Sequence, residues 1–323
     1  VSHIDLRRLV AEIRQYPGIT RKKNIHRITD LLRPLNRHKY IIADFGEDAA
    51  VIRSGKEYLL LAVDGMWSGL IEANPYNAGK ASIMVNVNDI YAMGGRPLAL
   101  VNVLGLPHDN NYSEIVRGMT KGCEKFNVPM VGGHLHPDTK EASLSVSVLG
   151  KAKKLLLSTN ATPGQDLIFA VDLEGRGYQC RPVISWDTNS GKTTKQVLSR
   201  LEILPAIAEK GYGRTAKDVS NGGLLGTIAL LLESSNTGAV VNLDAIQRPD
   251  GFLLTDWLKA FLSYGFILTA DKDRTGKILT EFSSGRITAK VIGKIVSDNR
   301  LTLVHQGQKA VLYDFNKEAI TEG

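Results

Sequence analysis

Apolar residues recur at helical spacing in two short N-terminal stretches, residues 4–15 and 22–33, and "YPGITR" between them carries a Pro17-Gly18 turn signal. Past residue 40 the pattern changes to β-rich runs. "AAVIRSGKEYLLLAVD" has two such runs around Ser54-Gly55, which predicts a hairpin. "PLALVNVLGLP" and "EASLSVSVLGKAKKLLLS" predict further strands, separated by a helix from about Ser113 to Phe126. Between hairpin and strands, "SIMVNVNDIYAMGG" reads as a nearly all-apolar helix ending on a Gly-Gly stop. Three of its polar residues, Ser82, Asn86 and Asp89, fall at i, i+4 and i+7, hence on one helical face.

After "STNATPGQ", which reads as an interdomain connection, the alternation starts again. Strand "DLIFAVDL" leads into a long loop, Glu174 to Gly191, and then helices from Lys195 to Lys210, Gly223 to Glu233 and Phe252 to Ser263. Strand "GFILTA", helix "KDRTGKILTEFS" and strand "AKVIGKIV" follow. Strands alternating with helices in both halves predict an α/β (α+β) protein of two domains. The expected division is a basic helical segment at 1–40, an N-terminal domain at 41–158 and a C-terminal domain at 159–323.

The 323 residues are 43% hydrophobic and 23% charged, enough for two substantial cores. No apolar run reaches the roughly 18 to 20 residues that span a bilayer, and the first residues lack a signal-peptide pattern. The expectation is a cytoplasmic protein without a membrane partner. Cys123 and Cys180 offer neither a disulfide framework nor metal spacing and are expected in the core. The net charge of +7 raises the question of nucleic acid. Residues 1–40 hold ten of the 40 Lys and Arg and three of the 33 Asp and Glu, leaving 30 against 30 elsewhere. This segment lacks the aromatic interleaving of a stacking platform, which argues against a nucleic-acid partner. Two readings remain open for it: a solvated helical face, or a segment that closes on an anionic ligand.

Two phosphate motifs fail on inspection. "SGKTT" at Ser190 lacks the glycine a P-loop needs, since Trp186 stands there, and "GYGRTA" at Gly211 follows a helix where a dinucleotide fingerprint must follow a strand. No His-x-x-x-His or Cys-x-x-Cys pair points to zinc. Acids instead gather at the ends of apolar elements: Glu47 and Asp48 in "GEDAAVI", Asp64 in "LLLAVDG", Asp89 in the helix, and Asp218 in "AKDVSNGGLLG". Any one of them reads as a turn or cap residue as readily as a ligand. Together with the glycine turns "MGG", "VGGH" and "SNGG", whose N–H groups can hold phosphate oxygens, they suit Mg²⁺ and a nucleotide phosphate.

"GEDAAVI", "AVDG", "GKASIMVNVNDIYAMGGRP", "VGGH" and "DVSNGGLLG", in this order and spacing, resemble the aminoimidazole ribonucleotide synthetase (PurM-like) superfamily. That superfamily includes thiamine-monophosphate kinase, selenophosphate synthetase and a hydrogenase maturation protein, and the resemblance spans about Asp44 to Val296. It implies a two-domain α/β fold and a homodimer whose N-terminal strands join into a shared barrel. It also implies ATP near the dimer interface and Mg²⁺ on acidic residues. Three positions depart from thiamine-monophosphate kinase: Gly46-Glu47-Asp48 replaces Gly-Asp-Asp, Gly132-Gly133-His134-Leu135 replaces Gly-Gly-Asp-Thr, and Ser220-Asn221-Gly222 replaces Ser-Asp-Gly. No cysteine precedes Cys123, so the reactive N-terminal cysteine of selenophosphate synthetase has no counterpart.

The expectation is an ATP-dependent enzyme that phosphorylates or activates a small, anionic acceptor, with a non-catalytic nucleotide-binding homologue as the alternative. Glu47, Asp48, Asp64, Asp89 and Asp218 are the expected Mg²⁺ ligands, with Asp48, Asp89, His134 and Asp218 at the chemistry. On this resemblance ATP contacts fall to Lys80, Asn86, Asn88, Gly94, Gly95, Gly132, Gly133, Ser220, Asn221, Gly222 and Gly223. His134 reads equally as a structural histidine. The loop from Arg176 to Lys192, with Arg181, Trp186 and Asp187, is expected to recognise the acceptor. Strands near Tyr58 to Val63 and Leu98 to Val103 are apolar on successive residues and are expected at the dimer interface.

Overall fold

The computed structural model describes residues 4–107, 112–180 and 183–321. Near its N-terminus, the Asp5 side chain accepts from the backbone N–H groups of Arg7 and Arg8 and so caps α1 (Leu6–Arg14). The i, i+3, i+7 spacing of Leu6, Leu9 and Ile13 then buries one face of that helix. Pro17 opens a one-turn helix, α2 (Pro17–Thr20), and α3 (Ile25–Leu32) follows.

The next strands are β1 (Ile41–Ala43), β2 (Ala50–Ser54) and β3 (Glu57–Gly65), with β2 and β3 forming the expected hairpin. After the short α4 (Ser68–Ala73) comes α5 (Pro75–Ala92), the apolar helix, begun by an Asn74 cap and Pro75 at its first position. Then follow β4 (Arg96–Gly105), α6 (Ser113–Phe126), β5 (Met130–His136) and β6 (Ser143–Ala152). The six strands form one sheet in the order β1-β2-β3-β6-β4-β5. Helices α5 and α6 lie side by side at backbone contact, because a Cβ at Gly79 or Gly118 would overlap a carbonyl oxygen of the other helix. Ile90 of α5 packs on Gly95 and Gly150 over the inner face of the sheet. The outer face is apolar and open: Leu61, Val63, Leu149, Val101 and Val103 stand in adjacent ladder positions, Val63 being 64% exposed.

The C-terminal half contains β7 (Asp166–Val171), β8 (Arg176–Cys180), β9 (Val183–Asp187), α7 (Thr194–Leu201), α8 (Ile203–Glu209) and β10 (Thr215–Asp218). Next come α9 (Gly223–Ser235), β11 (Gly238–Asn242), α10 (Leu254–Trp257), β12 (Phe261–Leu262) and β13 (Gly265–Ala270). The series closes with α11 (Lys272–Ser284), β14 (Thr288–Val296), β15 (Arg300–His305) and β16 (Gln308–Asp314). Seven strands form the main sheet, β10-β13-β7-β14-β11-β15-β16, and β12-β9-β8 a small one. One buried apolar cluster runs continuously from α5 and the first sheet to α7, α8 and β13, so the two domains share a core. A second cluster fills the C-terminal domain and includes Leu6, Leu9 and Ile13 of α1.

Several sequence expectations are corrected here. The loop from Glu174 to Gly191 contains the β8–β9 hairpin, and the helix expected from Phe252 to Ser263 shrinks to the single turn α10 because Phe261 and Leu262 pair with β9. The helix expected from Lys195 to Lys210 breaks into α7 and α8: Pro205 has no N–H to donate to Leu201. "VGGH" is not a turn but the edge strand β5, paired in parallel with β4.

Candidate functional site

Three elements from both domains bring carboxylates together. Asp48 precedes β2, Asp89 lies in the last turn of α5, and Asp218 ends β10; one oxygen from each lies within 4.8 Å of the other two. Asp64, near the end of β3, lies against Asp89. Burial pushes the Asp89 carboxyl well above the usual range, and Asp218, Asp64 and Asp48 push it the same way. Asp218 is raised well above its ordinary value, chiefly by burial and then by Asp48. Asp64 is raised by burial, against a smaller opposing pull from Lys22. Crowded acids of this kind repel one another and favour a cation among them; an all-oxygen set suits a hard divalent ion such as Mg²⁺.

One of these acids has a basic partner. The Lys217 ammonium pairs with Asp48 Oδ1, while Asp48 Oδ2 accepts from the Asp218 backbone N–H at 3.2 Å. Burial alone would push the Lys217 ammonium down, but Asp48, Asp218 and Glu47 outweigh it and hold it above its ordinary value.

The turn Ser220-Asn221-Gly222-Gly223 leads from Asp218 into α9. Gly223 has φ +65°, and a Cβ there would run into Leu258 O, so only glycine fits. The N-terminal segment lies on this turn: a Cβ at Gly18 would overlap Asn221 O, Ile19 packs on Gly226, and Tyr16 Oη donates to Lys259 O at 3.1 Å. Lys22, just beyond α2, lowers the carboxyls of both Asp64 and Asp218 by its charge. On α5, Asn86 donates to Ser82 O and Asn88 to Ser263 O, leaving the buried Oδ1 of each without a partner among the described residues.

Comparison with known proteins gives this geometry a family. Residues 46–152 match the model of the AIR synthase related protein N-terminal domain, and residues 184–306 match that of its C-terminal domain. The chain belongs to the AIR synthase related family. Relatives include an uncharacterised protein of Methanocaldococcus jannaschii, 39% identical over 98% of this chain and 99% of the relative. A thiamine-monophosphate kinase of Pyrococcus horikoshii is 28% identical over 74% of this chain and 81% of its own. Among solved structures, PurL of Thermotoga maritima complexed with ATP superposes with a TM-score of 0.72 at 18% identity over 88% of this chain. The chain spans about half of that protein, 48% of its length. A structure titled AaThiL complexed with AMPPCP and TMP gives a TM-score of 0.65 at 20% identity, covering 89% of this chain and 94% of its own. The mixed α/β, two-domain PurM-like fold expected from the sequence is thus the observed one.

Other expected site residues of this AIR synthase related protein lie apart from the carboxylates. Glu47 accepts from the Ser158 and Thr159 backbone N–H groups at 2.8 and 3.2 Å and from the Thr159 hydroxyl, pinning the interdomain connection. Lys80 Nζ bonds Ser190 Oγ and lies 3.7 Å from Asp187. Gly94-Gly95 form the buried turn from α5 to β4, closely packed on Ala208 and Leu60. Gly132 and Gly133 lie in the exposed strand β5, so they form no turn around an anion. His134 pairs in register with Val103 and shares its outer sheet face, away from α5; its ring packs edge-on against His136. Trp186 is buried, donates to Asp172 O and packs edge-on against Phe252 and Trp257, which makes it a core residue rather than a stacking platform. Arg181 lies outside the described residues. Cys123 is half-buried on α6, and burial pushes its thiol up. Sequence reasoning missed Lys217, and it counted Lys22 only as one of the ten basic residues of the N-terminal segment. The signal for Lys217 was its place inside "TAKDV", whose other residues Thr215, Ala216, Asp218 and Val219 are all buried.

Proposed function

We propose that this protein is a Mg²⁺-dependent, ATP-binding enzyme that phosphorylates, or activates by phosphorylation, a small anionic acceptor. The observation that carries the reading is the convergence of Asp48, Asp89 and Asp218 from three elements of two domains. Relatives named as thiamine-monophosphate kinase and selenide, water dikinase support the ATP-dependent class. Asp48, Asp89 and Asp218, with Asp64 beside them, would hold Mg²⁺, which supplies charge compensation for phosphate oxygens. Lys22 and the turn from Ser220 to Gly223 would face the phosphates from the side of α2 and α9, and the basic N-terminal segment would shield them from water. Asn86 and Asn88 retain acceptor oxygens that could take hydrogen bonds from ion-bound water.

The working unit is proposed to be a homodimer in which the open outer face of the first sheet pairs with its copy. The apolar side chains of Leu61, Val63, Val101 and Val103 are the support for this, since single chains rarely leave a contiguous apolar sheet face in water. No helix among the described residues is long and apolar enough to cross a membrane.

A thermal-shift titration with Mg²⁺-ATP tests the reading directly. Saturation to a hundred times the dissociation constant should stabilise the fold by about 2.7 kcal/mol. An unchanged midpoint with ATP and Mg²⁺ together would overturn it. Release of ADP, AMP or phosphate dependent on an added acceptor would support the enzyme, and nucleotide binding without any product would favour the non-catalytic alternative.

A further inference from the structure

We infer that the apolar stripe of α3 docks on the groove between α6 and β5 of a second copy of this chain, so that each protomer covers an open edge of the other. The inference rests on the homodimer proposed above. Ile28, Leu31 and Leu35 recur at i, i+3 and i+7 through α3 and the 3₁₀ turn Arg33–Leu35 that follows it, and they are 64%, 79% and 68% exposed. None of the three belongs to either buried cluster of the described residues. Helix α3 is nonetheless held at both ends. The His26 N–H donates to Thr321 O at 3.4 Å, and Arg33 and Asn36 donate to the two oxygens of Asp44, just past β1, at 3.1 and 3.0 Å. A contiguous apolar stripe on a helix fixed in this way marks an interaction surface.

The other edge of the same sheet carries an apolar hollow. Strand β5 is paired on one side only, and α6 does not close over it: Leu135 stands opposite the buried Leu104, on the side that α6 covers, yet is exposed. The cavity between them, about 540 Å³, is lined mainly by Leu104, Tyr112, Val116, Met119, Met130 and Leu135 and has room for several aliphatic side chains. Strands β1 and β5 are the two edges of the six-stranded sheet, about 24 Å apart at the usual strand spacing, so α3 cannot fill the groove of its own chain. A second copy can. When two outer faces meet about a two-fold axis running along the strands, strand order is reversed, and the β1 edge of each protomer lies over the β5 edge of its partner. The outer face is continuous up to that edge, since Ile41 pairs with Ile52 and Ile52 with Leu59, on the side of Leu61 and Val63. One axis thus buries the sheet face and both stripe-and-groove contacts in a single interface. An axis across the strands would set β1 over β1 and leave both grooves open, and an anionic membrane on the stripe would leave them open too.

Cross-linking of the full chain tests the contact. In a chain with Cys123→Ser and Cys180→Ser, Leu31→Cys together with Val116→Cys should be joined between protomers by a short bis-maleimide, giving a covalent dimer on a denaturing gel, whereas neither cysteine alone should do so. Leu31→Ser with Leu35→Ser should keep the far-ultraviolet circular dichroism of wild type, since both leucines are exposed in the single chain. By sedimentation its dimer dissociation constant should rise at least about tenfold, because each leucine is lost from two contacts. An unchanged dissociation constant, a dimer whose paired cysteines fail to cross-link, or cross-linking through Leu31→Cys alone would each overturn the inference while leaving the dimer intact. So would co-sedimentation of wild type with phosphatidylglycerol vesicles that the serine variant loses. A wild type that is monomeric at micromolar concentration would overturn both.

Discussion

Asp89 is a costly side chain for the fold, and the proposed metal site gives that cost a use. Its carboxyl is buried beside three other acids, which is why its ionisation is disfavoured in the metal-free protein. Asp89→Asn keeps the shape and removes the repulsion, so its melting midpoint without metal should equal or exceed that of wild type. Its affinity for Mg²⁺-ATP should drop by at least about tenfold, as calorimetry would measure, because an amide is a poorer ligand for a hard cation. An Asn variant that binds as wild type does would remove Asp89 from the ligand set. Gly18 allows a second test at this scale. Gly18→Ala would place a methyl group against the Asn221 carbonyl and lift α2 from the turn before α9. Weaker nucleotide binding with little change in far-ultraviolet circular dichroism is the expected result.

Helix α1 decides how the basic N-terminal segment can be studied. Leu6, Leu9 and Ile13 are buried in the C-terminal core, and Arg14 reaches Leu312 O at 2.8 Å and both oxygens of Glu318. This segment is therefore no detachable arm: removing residues 1–38 would uncover core side chains. Leu9→Ala should cost about 2 to 5 kcal/mol in denaturant unfolding, the usual range for a buried leucine. Substituting the partly exposed Lys22 by Ala leaves that packing intact. It should weaken nucleotide binding and reduce its salt dependence, because charge at the rim of a site is screened over about 8 to 10 Å at physiological ionic strength.

For the whole molecule the open question is the outer face of the six-stranded sheet. Its apolar residues stand in register across β3, β6 and β4, while the opposite face is covered by α5 and α6. Sedimentation should find a dimer at micromolar concentration. Val63→Asp, on this face, should give monomers that still fold, since Val63 is 64% exposed in the single chain. A monomeric wild type would refute the arrangement.

Elements whose signal is local were legible in the sequence. Helix α6 spans Ser113–Phe126 and β13 spans Gly265–Ala270, as periodicity predicts, because their buried faces are written into consecutive residues. The acids at element ends were legible for the same reason, as polar exceptions in apolar runs. Their meeting was implied by the family resemblance alone, which also placed Glu47 among them, since Asp48, Asp89 and Asp218 lie far apart in the chain and only the packing of α5 and β10 across the domain boundary joins them. Long-range pairing also overrode local chemistry: Gly132-Gly133 carry turn residues yet run straight beside β4, and Phe261-Leu262 leave a helical pattern to pair with β9. The sequence by itself determined the family, the two α/β halves and the residue types of the site. Tertiary structure alone decided which acids come within reach of one another, that Lys217 stands among them, and that His134 faces the other side of the sheet, because those facts depend on contacts between residues that no local period connects.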